Sequence, residues 1–348
     1  MTETATVPEF AVVSGAQVHQ VLDGAEKHLV ELIEATYRLH GQQATVNPPS
    51  YFLRFPDRPS ARIIALPASV GGEVAVDGVK WISSFPENVR TGLPRASAVL
   101  ILNDQATGYP LACMESSIIS ASRTAASAAL AADWLSRRGE RPRRLGFVGT
   151  GLIARYVHRF LIGTGWDFDE TAVFDLSAEH AAGFRGYLES TGANRIAVRE
   201  SAEELIRGSD LIVFATVAGE PHVHDPAWFA HNPLVLNVSL RDLSTEVILA
   251  SANVVDDVEH CLKANTSVHL AEQATGGRDF LDGTLYDVMS GALALDAGQP
   301  LVFSPFGLGV LDLAVGKHVL DELRRRGELH EVGDFFFELD RYGKHGKR

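Results

Sequence analysis
The chain is short of positive charge. Its 348 residues hold 31 Lys and Arg against 44 Asp and Glu, a formal charge of −13, which leaves no dominant basic field for nucleic acid or an anionic membrane surface. Cations that matter to function are therefore local. Cysteine is scarce as well: Cys113 and Cys261 are the only two. They are far apart and lack metal-ligand spacing, so no disulfide framework and no metal site are expected, and both thiols read as structural in a reducing compartment. Long apolar runs are missing, the nearest approach being TAASAALAADWL at 124–135, too short to span a bilayer and interrupted by Asp133. The opening MTETATVPEF has no basic segment followed by an apolar one, so it does not read as a signal peptide, and a cytoplasmic location is expected. Internal repeats and low-complexity segments are also absent. What is present, 46% hydrophobic residues, suffices for two domains of ordinary size.

Residues 15–40 place Val18, Leu22, Ala25, Leu29, Leu32, Ile33 and Leu39 at helical spacing. From Pro48 to Pro110 the pattern changes to short β-type runs, YFLRF, ARIIALP, GVKWISSF and SAVLILN, which predict an antiparallel sheet in an α+β unit. An alanine-rich helix over 115–138 follows, ending at the basic RRGERPRRL. After it LGFVG, TAVFD, IAVRE, DLIVFAT, PLVLNVS and ANVVDD alternate with helical patterns, the mark of an α/β, Rossmann-type doubly wound parallel sheet. LVFSPFGLGVLDLAVGKHVLDELRRRG then reads as a strand, a glycine turn and a helix returning to the first domain. The expected division is 1–138 with 305–348 as an α+β substrate-binding and dimerisation domain, and 139–304 as a dinucleotide-binding domain. FFFEL at 335–339 reads as packing or a dimer contact, and the basic tail at 340–348 as a frayed end.

Gly149, Gly151 and Ala154 form GxGxxA between the strand LGFV and a helix. The first glycine permits the turn, the second lets backbone approach a pyrophosphate, and the small third residue packs the helix on the strand. The next strand, TAVFD, ends in Asp175, whose carboxylate suits the adenosine ribose hydroxyls and repels a 2′-phosphate, so NAD is expected over NADP. The alternative is a turn used only for packing. HVHD at 222–225 alternates like a metal ligand set but shows no third ligand, and reads as a loop. PFGLGVLD reads equally as a turn beside the nicotinamide or a helix start.

The first domain sets Arg54, Arg62, Lys80, Arg95 and Arg123 in apolar or β-like runs. Several cations there suit a multiply anionic ligand, the alternative being that each snorkels or pairs with a structural acid. With VKW, LILNDQATGYPLACMESSIISASRTAASAALAA, GFVGTGLIA and LNVSLRDLSTEV, the chain resembles the ornithine cyclodeaminase and mu-crystallin family over roughly 10 to 330. RIIALPASVGGE, VKWISS and RASAVLILND are similar to the branch that oxidises N-(1-amino-1-carboxy-2-ethyl)glutamate to 2,3-diaminopropionate and 2-oxoglutarate.

The resemblance implies a homodimer, NAD as cofactor, Lys80 and Asp242 as the catalytic pair, and Arg54, Arg62, Arg95 and Arg123 on substrate carboxylates. It implies cofactor contacts at Thr124, Gly149, Gly151, Leu152, Ile153, Asp175 and Thr216. Asp242 alternatively caps the helix STEVILAS. Lys80 beside several arginines is expected to have its ammonium form disfavoured. Cyclodeaminases carry an acid where this chain reads RIIALP and a small hydroxyl residue near Arg95, so a tricarboxylate suits the chain better than a diamine. Ile153 replaces a Gln of the archetype. A cyclodeaminase, an imine or amino-acid reductase, and a non-catalytic crystallin-like nucleotide-binding protein remain as alternatives, and a PLP-dependent synthase is the implied upstream partner in siderophore or antibiotic precursor synthesis.

Overall fold
The computed structural model describes residues 9–337; the expected frayed tail and the segment before residue 9 lie outside them. In chain order the strands are β1 (Phe10–Val13), β2 (Thr45–Val46), β3 (Tyr51–Phe55), β4 (Arg58–Val70), β5 (Val76–Ser84), β6 (Ala96–Asn103) and β7 (Pro110–Glu115). There follow β8 (Arg144–Val148), β9 (Glu170–Phe174), β10 (Arg195–Val198), β11 (Leu211–Phe214), β12 (Leu234–Asn237), β13 (Ala252–Val255), β14 (Gly283–Thr284), β15 (Leu301–Ser304) and β16 (His330–Val332).

The chain falls into two compact units. One comprises residues up to Asp23, Gln43–Ser120 and from Gly309 on; the other comprises Gly24–Gln42 and Ala121–Leu308. The expected division differs from these units in placing residues 24–42, 121–138 and 305–308.

In the first unit the strand order is β16-β1-β7-β6-β5-β4-β2, with β3 also paired to β4. The expected antiparallel ladder is realised as β3 through β6; β7, which the pattern did not show, extends it, and β1 joins β7 in parallel. The helix Gly309–Arg326 buries an apolar face containing Val310, Leu311, Leu313, Ala314 and Val315 against β4, β5 and β6. Gly316 fits there because a Cβ would lie 2.2 Å from Leu100. Phe335 stacks on Phe10 at 3.8 Å and Phe336 meets Tyr109 edge-on, so these two rings of FFFEL pack within this unit.

The second unit is an eight-stranded parallel sheet, β10-β9-β8-β11-β12-β15-β13-β14. Strands β11, β12, β13 and β15 are buried at every residue, which is why they read as continuous apolar runs. Several of its helices start at side-chain caps, among them Ser177, Ser201 and Thr266, each accepting from the backbone three residues on. The helical spacing over 15–40 is realised as two helices, Gly15–Leu22 and Glu26–Gly41. Gly24, at φ +73, breaks the run.

Candidate functional site
In the second unit, β8 leads through Gly149 and Gly151 into the helix Leu152–Gly163. Gly149 has φ +86, and a Cβ there would lie 2.8 Å from the Ala215 carbonyl carbon and oxygen. Backbone strain and close approach both demand glycine. Gly151 precedes the helix with a bare Cα that faces open space. Ala154 is fully buried, Leu152 is half exposed, and Ile153 follows it in the first turn. Because β8 and β11 are neighbours while the chain runs from β8 to β9 on the other side, this turn lies at the sheet's switch point.

Asp175, just after β9, accepts from the Thr150 amide at 2.9 Å, the Thr150 hydroxyl at 2.8 Å and the Ser177 amide at 2.9 Å. Burial works to raise its carboxyl, but the Ser177 amide and the two Thr150 donors outweigh it and hold the group below the ordinary carboxylate range. The turn and the acid are therefore one hydrogen-bonded unit. The open Cα of Gly151, the helix start and the ionised Asp175 fit the pyrophosphate and ribose of a dinucleotide.

Asp242 is fully buried in the same unit. It does not cap the following helix, Thr245–Leu249, whose N-cap is Ser244. Its carboxylate accepts from the Thr216 hydroxyl at 2.5 Å, from the Ser239 hydroxyl, and faces His222 Nε2 at 2.9 Å. The His222 side chain is 39% exposed, whereas that of Asp242 is 0%. HVHD is a loop: His222 serves Asp242, and Asp225 caps the short turn Pro226–Phe229. No His, Cys, Asp and Glu grouping among the described residues could hold a metal. Arg123 and Thr124 sit part-buried on the helix Ser117–Ser136, with the Arg123 guanidinium against Gly307.

In the first unit, Lys80 is buried and its amine donates to Asp312 at 2.6 Å and to the Ser120 hydroxyl at 3.4 Å. The expected disfavouring of its ammonium rested on neighbouring arginines. An anion in direct contact acts the other way and favours the charged amine. Asp312 is the residue that sequence reasoning missed, although one acid in the apolar run GVLDLAV is a visible signal.

Antiparallel register aligns the remaining cations. Arg54 lies opposite Arg62, Arg62 opposite Ser84, and Leu66 opposite Lys80. Cross-strand partners share a face and alternate residues along a strand return to it, so Arg54, Arg62, Ser84 and Lys80 occupy one face. Arg95 donates to the Ser84 hydroxyl at 2.8 Å, and burial lowers its pKa. Among the described residues, no carboxylate pairs with Arg95.

Residues 11–327 match the ornithine cyclodeaminase/mu-crystallin family. The N-((2S)-2-amino-2-carboxyethyl)-L-glutamate dehydrogenase of Staphylococcus aureus is 29% identical over 76% of this chain and 80% of that protein. The structure of an archaeal alanine dehydrogenase dimer with bound NAD matches with a TM-score of 0.84 at 26% identity, covering 94% of this chain and all of that one. The Δ1-pyrroline-2-carboxylate reductase of Thermococcus litoralis, solved with NADH and L-proline, shares the fold with a TM-score of 0.85 at 23% identity, over 92% of this chain and all of that one.

Proposed function
The chain belongs to the ornithine cyclodeaminase/mu-crystallin family, and from that premise we propose that it oxidises N-(1-amino-1-carboxy-2-ethyl)-L-glutamate, cleaving it to L-2,3-diaminopropionate and 2-oxoglutarate. It is an NAD-dependent oxidoreductase. The observation that carries the substrate class is Arg95, a part-buried guanidinium that donates to the hydroxyl of Ser84, whose cross-strand row also carries Arg54 and Arg62. Several guanidinium groups gathered by one sheet, one of them held by a neutral hydroxyl, suit a ligand that brings several carboxylates. The Staphylococcus aureus relative, named for such a substrate, supports the reading.

The Gly149–Gly151 turn, Asp175, Thr216, Thr124 and the first helical turn at Leu152 and Ile153 would hold the cofactor. NAD bound there would supply the acceptor for a hydride from the glutamate Cα. Arg54, Arg62, Arg95 and Arg123 hold the substrate carboxylates and so fix that carbon. The resulting imine takes up one water, and collapse of the carbinolamine breaks the carbon–nitrogen bond. One NAD and one water give one NADH, one proton and the two products. Lys80, held by Asp312, donates a proton toward nitrogen, and Asp242 accepts one from water. A PLP-dependent synthase supplies the substrate, and the product serves siderophore or peptide-antibiotic precursor synthesis.

A homodimer fits this reading. On the face of the first sheet opposite Lys80, Tyr51, Trp81 and Val99 lie in one cross-strand row, all exposed. A second copy of the chain covers such a surface. No described helix is long and apolar enough to cross a membrane.

Incubation with NAD and the proposed substrate is expected to yield NADH, 2-oxoglutarate and 2,3-diaminopropionate in equal amounts. Lys80→Met and Asp242→Asn should each nearly abolish all three while leaving NAD binding intact. Ornithine giving proline and ammonia with no net NADH would replace this reading with a cyclodeaminase.

A further inference from the structure
Asp256 follows β13 and is 3% exposed. Its carboxylate accepts from three backbone amides: Asp257 at 2.9 Å, Phe306 at 2.9 Å and Gly307 at 2.7 Å. The Cys261 thiol lies 3.1 Å from the same carboxylate. A buried acid thus fastens the end of one strand to the turn that follows β15. That turn is unusual at Gly307, where φ is +91. A Cβ there would lie 2.4 Å from Arg123 Nη1, 3.0 Å from Nη2 and 3.1 Å from Cζ. The bare backbone of Gly307 is therefore laid against the flat guanidinium, and no other residue leaves that space.

Tyr37 reports the same neighbourhood. Its hydroxyl is held well above its ordinary pKa, first by burial and then by the charge of Asp256, with Arg123 pulling the other way. Both charges act on this buried ring. Neither Asp256 nor Gly307 is needed to build the dinucleotide turn, which lies at β8 and β9.

The geometry points to Asp256 as a positioning residue for Arg123, acting through the Gly307 turn to set the direction in which the guanidinium meets a substrate carboxylate. The inference rests on Arg123 being a substrate ligand. An arginine side chain has many rotamers and a bidentate contact tolerates little misplacement, so a wall that fixes the plane of the guanidinium improves binding of a planar carboxylate.

Gly307→Ala tests this most directly, because the group that must yield to a methyl is the guanidinium end of a long side chain. A crystal structure of that variant is expected to show the Arg123 guanidinium displaced, and an unmoved guanidinium overturns the proposal. In kinetics with N-(1-amino-1-carboxy-2-ethyl)-L-glutamate, Gly307→Ala should raise the substrate KM about tenfold or more, with NAD affinity within about twofold of wild type. Asp256→Asn should shift KM in the same direction. In an Arg123→Ala background, Gly307→Ala should change kcat/KM less than about twofold, since its route is already gone. Full additivity would mean that the turn matters only to the fold, and overturns the proposal. A displaced guanidinium with unchanged substrate KM would instead uphold the positioning and remove Arg123 from the substrate site. If wild-type protein does not turn over the substrate, the functional reading fails and the crystallographic result still decides the positioning.

Discussion
A methyl group at Gly149 would press on the Ala215 backbone, whereas one at Gly151 would meet nothing within 4 Å. The two glycines are thus required for different reasons, and substitution separates them. Gly149→Ala should unfold or severely destabilise the second unit. Gly151→Ala should leave the melting temperature within a few degrees of wild type while weakening NAD at least tenfold, as measured by titration of the purified protein, because its methyl occupies the approach to the pyrophosphate. The Lys80–Asp312 pair gives a second test. Asp312→Asn leaves a buried ammonium without its anion and should cost about 3–5 kcal/mol in denaturant unfolding, whereas Lys80→Met with Asp312→Leu should recover most of that loss. Asp175 is readable as the acid directly after a strand, and Asp242 as one a few residues beyond another. Asp312 and His222 are not readable in this way, since nothing local in sequence says which buried charge a distant side chain will meet.

The helix Leu152–Gly163 carries an element-scale consequence on its buried side. His158 is 2% exposed, with its ring near Phe147 and Nδ1 3.3 Å from the Tyr187 hydroxyl. Burial lowers its pKa to about 4. The unfolded chain protonates this imidazole near its ordinary value of about 6.5, so between those limits the unfolded state binds more protons. Stability is therefore lost as pH falls through that window, by about 3 kcal/mol at its lower end. Thermal melts from pH 7 to 4.5 should show His158→Phe losing less than wild type. Parallel strands and caps were readable here because β-branched runs and Ser or Thr starts are local signals. The break at Gly24 was not, because helical spacing continues on both sides of it and only the left-handed backbone ends the helix.

At the scale of the molecule, the sequence pattern separated a mainly antiparallel sheet from a parallel one, since alternation marks a sheet solvated on one side and unbroken apolar runs mark one covered on both. It did not show β1 lying parallel to β7, a pairing between segments some hundred residues apart that no local pattern encodes. The exposed row of Tyr51, Trp81 and Val99 leads to a further test. Trp81→Glu should convert a dimer to monomer in light scattering without loss of secondary structure, and an unchanged mass would remove this face as the interface. The pairing of β1 with β16 also bears on how the protein is made. Every strand of the second unit precedes Asp312 and β16 in the chain, so that sheet can emerge and begin to form first, while the first unit waits for residues 309–332 to supply both β16 and the anion for Lys80. Refolding should accordingly show the parallel sheet protected early, with capture of residues 309–332 as the slow, high-contact-order step.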